Sequence, residues 1–142
     1  MRNIEPNDFN YLREVIYLED INHILLSKSW IEEENGKVLA ALVIDNRWLP
    51  CKNTIPWNNQ AKEIMDWYMV NYKDFTTYHI SLMCDNTQTG ILSNMYSEFL
   101  KSIHVGDHIW VNVLKESDAY HIMEFGGFVR LSSEIYLTQY VP

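Results

Sequence analysis

The stretch Val111–Phe128, VNVLKESDAYHIMEFGGF, orders the rest of the chain. A strand-like run, His108 to Leu114, gives way to a short helix, Asp118 to Phe125. The helix stops at Gly126-Gly127, before the aromatic Phe128. Just upstream lies Asp85–Leu100, DNTQTGILSNMYSEFL, a polar turn with one glycine. The turn opens a helix, Ile91 to Ile103, whose Ile91, Met95, Tyr96, Phe99 and Leu100 share one face. Thr77 to Cys84 reads as the strand before it. A strand that passes through a glycine turn into a helix exposes backbone N–H groups able to hold phosphate.

Outward from this segment the pattern continues. Phe128 to Val141 reads as a closing strand, broken into two near Ser132-Ser133. Gln60 to Tyr72 reads as a helix with Ala61, Ile64, Met65, Tyr68 and Tyr72 on one side, after a loop from Asn46 to Pro56. Further upstream, Trp30 to Glu34 and Lys37 to Ile44 flank Asn35-Gly36. Both positions of a tight hairpin turn want positive φ, so Asn-Gly between two strand-like runs predicts a hairpin. VLAALVI in its second arm is apolar throughout, as a strand buried on both faces requires. Arg2 to Glu5 reads as a short first strand. Two short helices follow: one is capped by Asn7 or Asp8 and carries Phe9, Leu12, Val15 and Ile16, and the other carries Ile21, Ile24 and Leu25. Strands alternating with helices predict one α/β (α+β) domain over 1–142, with a mixed, largely antiparallel sheet and helices on both faces.

At 142 residues the chain can bury a substantial core, and 47% hydrophobic with 21% charged residues fits a globular, soluble protein. A net charge of -8 argues against nucleic acid and anionic membrane surfaces as partners, since both call for a basic face. MRNIEPNDF has no apolar core of the kind a signal peptide needs, and no run approaches the roughly 20 apolar residues that cross a bilayer. Cys51 and Cys84 have no metal-ligand spacing and read as reduced cytoplasmic thiols, Cys84 buried. His104 and His108 flank a Val-Gly-Asp loop without further ligands, so no metal is expected. Neither a serine elbow nor a Walker phosphate loop is present.

In this order of elements the chain resembles the GNAT superfamily of acyl-CoA-dependent N-acyltransferases, over nearly its whole length. The helix at Gln60–Tyr72 is extra to the simplest form of that pattern. VLKESDAYHIMEFGGF is similar to the family's second motif, with Ala119, Glu124, Gly127 and Phe128 at family spacing. Glu116 stands where the family often has Asn, and Met123 where it often has the Tyr that protonates the leaving thiolate. Gln88-Thr89-Gly90-Ile91-Leu92 is similar to the family's phosphate turn, shortened by one residue and with Leu92 at a position usually small.

The resemblance implies acetyl transfer from acetyl-CoA, as co-substrate, to an amine acceptor. Gln88, Thr89, Gly90, Ile91 and Leu92 would supply N–H groups to the pyrophosphate. Leu82, Met83 and Cys84 would offer an open strand edge to the amide-rich pantetheine arm, and Ala119 and Met123 would line the cofactor on the short helix. Tyr120, one turn before Met123, is the candidate acid, and His79 is the candidate base, directly or through water. Glu32, Glu33 and Glu34 beside the hairpin could receive a cationic substrate. Each residue also has a plainer reading: Tyr120 as packing, His79 as a strand histidine, the glutamates as a solvated face. Leu92 and Met123 equally suit a catalytically degenerate member that binds a ligand or partner. A homodimer through a sheet edge or helix face is compatible with either.

Overall fold

The computed structural model describes residues 1–15, 21–87 and 89–140. In chain order the elements are β1 (Arg2–Asn3), α1 (Phe9–Val15), β2 (Trp30–Glu34), β3 (Lys37–Asp45), α2 (Asn59–Asn71), β4 (Thr77–Asp85), α3 (Ile91–Lys101), β5 (His108–Asn112), α4 (Glu116–Phe125), β6 (Val129–Arg130) and β7 (Ile135–Gln139). The strands form one seven-stranded sheet in the order β1-β2-β3-β4-β5-β7-β6. β1 with β2, β2 with β3, β5 with β7 and β6 with β7 all pair antiparallel. This is the mixed α/β sheet expected from the sequence. No helix among the described residues is long and apolar enough to cross a membrane.

The chain packs as two compact units, Met1–Asn46 with Ile80–Ser102, and Arg47–His79 with Ile103–Pro142. In the first unit the Asn35-Gly36 turn has φ of 53° and 76°, as an Asn-Gly hairpin demands. β2 and β3 run in register from Glu34↔Lys37 to Trp30↔Leu42, with an irregularity between Glu32 and Glu33. β3 is buried on both faces. Ala41 and Val43 join Ile4, Leu12 and Ile31 in one cluster, with Phe9 of α1 packed on it. Ala40, Leu42 and Ile44 alternate to the opposite face, are fully buried, and belong to the strand on which α3 packs. In the second unit Ala61, Met65 and Tyr68 of α2 close over Trp110 of β5 and Leu137 of β7.

The Gly36 turn gives a direct test. A Cβ there would meet nothing within 4 Å, so Gly36→Ala carries only the cost of a left-handed backbone. A loss of about 1 kcal/mol is expected in urea unfolding, with the m-value unchanged.

Several expectations are corrected. The second short helix is a single 3-10 turn, Ile21–His23. Ile24 instead bridges Asp45, and the Leu25 N–H donates to the Ile44 carbonyl at 2.8 Å. So short a segment pays heavily to nucleate a helix, and β3 satisfies its backbone without one. Near the N-terminus a 3-10 turn, Pro6–Asp8, precedes α1, and the Asp8 carboxylate accepts the Glu5 N–H at 2.8 Å. β5 ends at Asn112, so α4 begins two residues earlier than expected, at Glu116. His108 is the first residue of β5, where the strand was expected to begin. Cys84 is only half-buried. The closing segment does break at Ser132-Ser133, where the Ser132 Oγ accepts the Ile135 N–H at 3.1 Å and turns the chain from β6 into β7. Ile16, Gln88 and Val141 lie outside the described residues.

Candidate functional site

In the first unit β4 runs out at Asp85 into the turn that opens α3. The Asp85 carboxylate accepts the Thr87 N–H at 2.8 Å and the Thr87 hydroxyl at 2.6 Å. Thr87 and Thr89 hydroxyls lie 2.7 Å apart, and the Thr89 N–H donates to the Thr87 Oγ at 3.2 Å. This chain of short side chains builds the turn locally, as Asx and Ser/Thr turns do. Gly90 is the residue before the helix, with φ 76° and ψ 12°, a left-handed conformation that costs L-residues about 1–2 kcal/mol.

The first helical bond of α3 is Asn94 N–H to Gly90 carbonyl, at 3.4 Å. The N–H groups of Ile91, Leu92 and Ser93 therefore have no intrahelical carbonyl to meet. Gly90 brings no side chain to cap them. Leu92 is 1% exposed and anchors the helix in the core with Met95, Tyr96 and Phe99, so its side chain is turned away from solvent. Burial pushes the Tyr96 hydroxyl well above the ordinary phenol range. On β4, Met83 is buried, while Leu82 and Cys84 are half-buried against the α1-side cluster. Glu32 pairs with the α-ammonium of Met1 and Glu33 with Arg2 at 3.1 Å, so both carboxylates already have cations within their own unit.

In the second unit α4 carries the candidate acid. Ile122 is its buried residue, and successive residues step round the helix by about 100°. Glu116, Ala119 and Met123 fall on one flank of Ile122. Asp118, His121 and Phe125 fall on the other, and Tyr120 points outward. Tyr120 is 63% exposed and Met123 79% exposed, so both present themselves to solvent. His79 is enclosed instead. Its ring stacks on Trp110 with centroids 4.0 Å apart, and the Trp110 indole N–H donates to the Arg47 carbonyl at 2.8 Å.

Sequence reasoning passed over Asp118 and His121, on the second flank of α4. With Glu124 they recur every three residues, a spacing that was there to be read. His121 Nδ1 lies 3.5 Å from Glu124 Oε2. Burial raises the Asp118 carboxyl above the usual range, against the pull of Lys115 and His121. Burial first, and then the charge of Asp66, push the Cys51 thiol up to about 11, which disfavours its thiolate near neutral pH. Among the described residues no three His, Cys, Asp or Glu side chains gather as a metal site.

No protein-family model matches the chain, and no curated protein matches it. Among solved structures it is similar to the crystal structure of PH1933 from Pyrococcus horikoshii OT3, at 12% identity and a TM-score of 0.48, over 96% of this chain and 74% of that one. A likeness of that size says nothing about activity.

Proposed function

We propose that the protein is an N-acetyltransferase that moves an acetyl group from acetyl-CoA to an amine. The observation that carries this reading is the end of β4. A strand passes through a left-handed glycine into a helix whose first three N–H groups have no intrahelical carbonyl and no side chain from the cap position, Gly90. Such an array, aided by the positive end of the helix dipole, suits a pyrophosphate. β4 has a neighbour on each side, so Leu82–Cys84 would pair with pantetheine amides only where β5 leaves their edge open. In the reaction the amine nitrogen attacks the thioester carbonyl carbon, the C–N bond forms, and the C–S bond breaks. The amine proton leaves to a base. A proton returns to the departing thiolate, and His79 and Tyr120, both in the second unit, are the candidate base and acid for these two transfers. Holding two substrates together supplies much of the rate by itself.

Calorimetric titration with acetyl-CoA, with free CoA as comparison, tests the reading. Micromolar binding followed by thiol release on a panel of amines is expected. Tyr120→Phe is expected to lower kcat about a hundredfold with KM little changed. An absence of binding at millimolar acetyl-CoA would sink the proposal. A second reading, ligand binding without turnover, is favoured by Met123. Its thioether sits exposed on α4 and cannot donate a proton. Tight binding without thiol release on any amine would decide for it.

A further inference from the structure

His108 opens β5 and is 4% exposed. Its ring lies on Phe75 with centroids 3.9 Å apart and planes 26° apart. Trp67 stacks at 5.7 Å and the Tyr68 ring meets it edge-on at 5.8 Å. The imidazole is thus packed among aromatics, and its Nδ1 is buried with no hydrogen-bond partner among the described residues. The same residue pins the chain that leads from α2 into β4. The His108 N–H donates to the Thr76 carbonyl at 2.9 Å, and the Thr76 N–H donates to the neighbouring Asp107 carboxylate at 3.1 Å.

We propose that His108 is an acid-sensitive latch: on gaining a proton its ring leaves the Phe75 stack and frees the segment Tyr72–Thr76 between α2 and β4. A neutral imidazole suits this site, and an imidazolium does not. A buried cation there would have to be desolvated, and the Gly106 carbonyl and the Asp107 carboxylate offset only part of that cost.

The titratable groups around the ring do not alter this. On its own turn, Asp107 is buried and its oxygens already accept the Thr76 and His104 N–H groups. Tyr68 on α2 spends its hydroxyl on Thr77, 2.7 Å away, and burial keeps that phenol protonated. Tyr78 on β4, near Asp107, is likewise held protonated by burial. Burial lowers the His108 pKa from its ordinary value, and the Gly106 carbonyl and Asp107 only oppose that shift. The sign follows. Between the lowered folded value and about 6.5 the unfolded chain binds the proton and the folded chain does not. The stability that the neutral ring contributes is therefore present above about pH 6.5. It is lost as pH falls through the folded value.

The test compares wild type with His108→Phe, which keeps an apolar ring and cannot titrate. Between about pH 7.5 and pH 4.5 the wild-type Tm should fall by about 5 °C more than that of the variant. Tryptophan fluorescence should report the same step, since a protonated imidazole beside an indole quenches it, and Trp67→Phe should diminish the signal. Equal acid sensitivity in wild type and His108→Phe would overturn the proposal. Should His108→Phe not fold, imidazole titration and amide exchange on the wild type decide. Loss of protection at Phe75–Thr77 in step with His108 protonation supports the latch, and protonation without that loss refutes it.

Discussion

Phe99→Ala is expected to lower stability by about 3–5 kcal/mol, the largest effect of any single change considered for this protein. Phe99 is fully buried on the inner face of α3, with Leu92, Met95 and Tyr96. Its ring tilts against Tyr96 at 6.1 Å, and its carbonyl accepts the Ser102 N–H and hydroxyl where the helix ends. Truncation removes the ring and leaves a cavity that a helix tied at its last turn cannot collapse to fill. A domain of this size commands roughly 5–15 kcal/mol in all, so about a fifth or more of its margin would go. Urea unfolding should show the midpoint moving down with the m-value kept. Leu100→Ala, at a half-buried position of the same helix, sets the comparison and should cost clearly less. Near-equal losses would mean that α3 does not face the core as described.

What made α3 legible was its five apolar residues at helical spacing, a period that only one local structure satisfies. The hairpin was legible for a comparable reason, because Asn35-Gly36 answers a demand for positive φ that few residue pairs meet. Periodicity was a weaker guide at Ile21–Leu25. There an apolar spacing fit a helix, but the backbone of Ile24 and Leu25 found partners on β3, and pairing across the chain overrode the local pattern. Strand Thr77–Asp85 was readable as a strand, but its neighbours in the sheet were not, because a run of β-forming residues does not name its partners.

The candidate site was readable as composition and only partly as geometry. The glycine turn was visible, but the role of Leu92 was not. As a residue type it suggested an obstacle at the phosphate turn, while helix direction sends its side chain into the core and leaves only its N–H at the turn. His79 looked like a base by its place before the turn, yet its ring is taken up by a stack on Trp110, a contact between residues 31 apart in sequence that no local pattern encodes. Tyr120 and Met123 were placed on neighbouring parts of α4 by counting alone, and their exposure agrees.

Gly90→Asp should separate the anion-binding role of the turn from its role in folding. Two backbone costs and gains nearly offset. A left-handed Asp costs about 1 kcal/mol, and a carboxylate at a helix N-terminus returns about 0.3–1 kcal/mol. A Cβ at Gly90 meets nothing within 4 Å, so no clash adds to this. The variant should fold with a Tm within a few degrees of wild type. Binding is a different matter. The new carboxylate would stand beside the N–H groups of Ile91, Leu92 and Ser93 and would face a pyrophosphate at close range. Like charges about 5 Å apart at an effective dielectric near 20 repel by about 3 kcal/mol, so acetyl-CoA affinity should fall by about a hundredfold. Gly90→Ala shares the backbone strain and adds no charge, and it should weaken binding only a few-fold. If both variants lose affinity equally, the turn contributes shape and not charge. If neither does, acetyl-CoA does not use the start of α3, and the acetyltransferase reading loses the observation on which it stands.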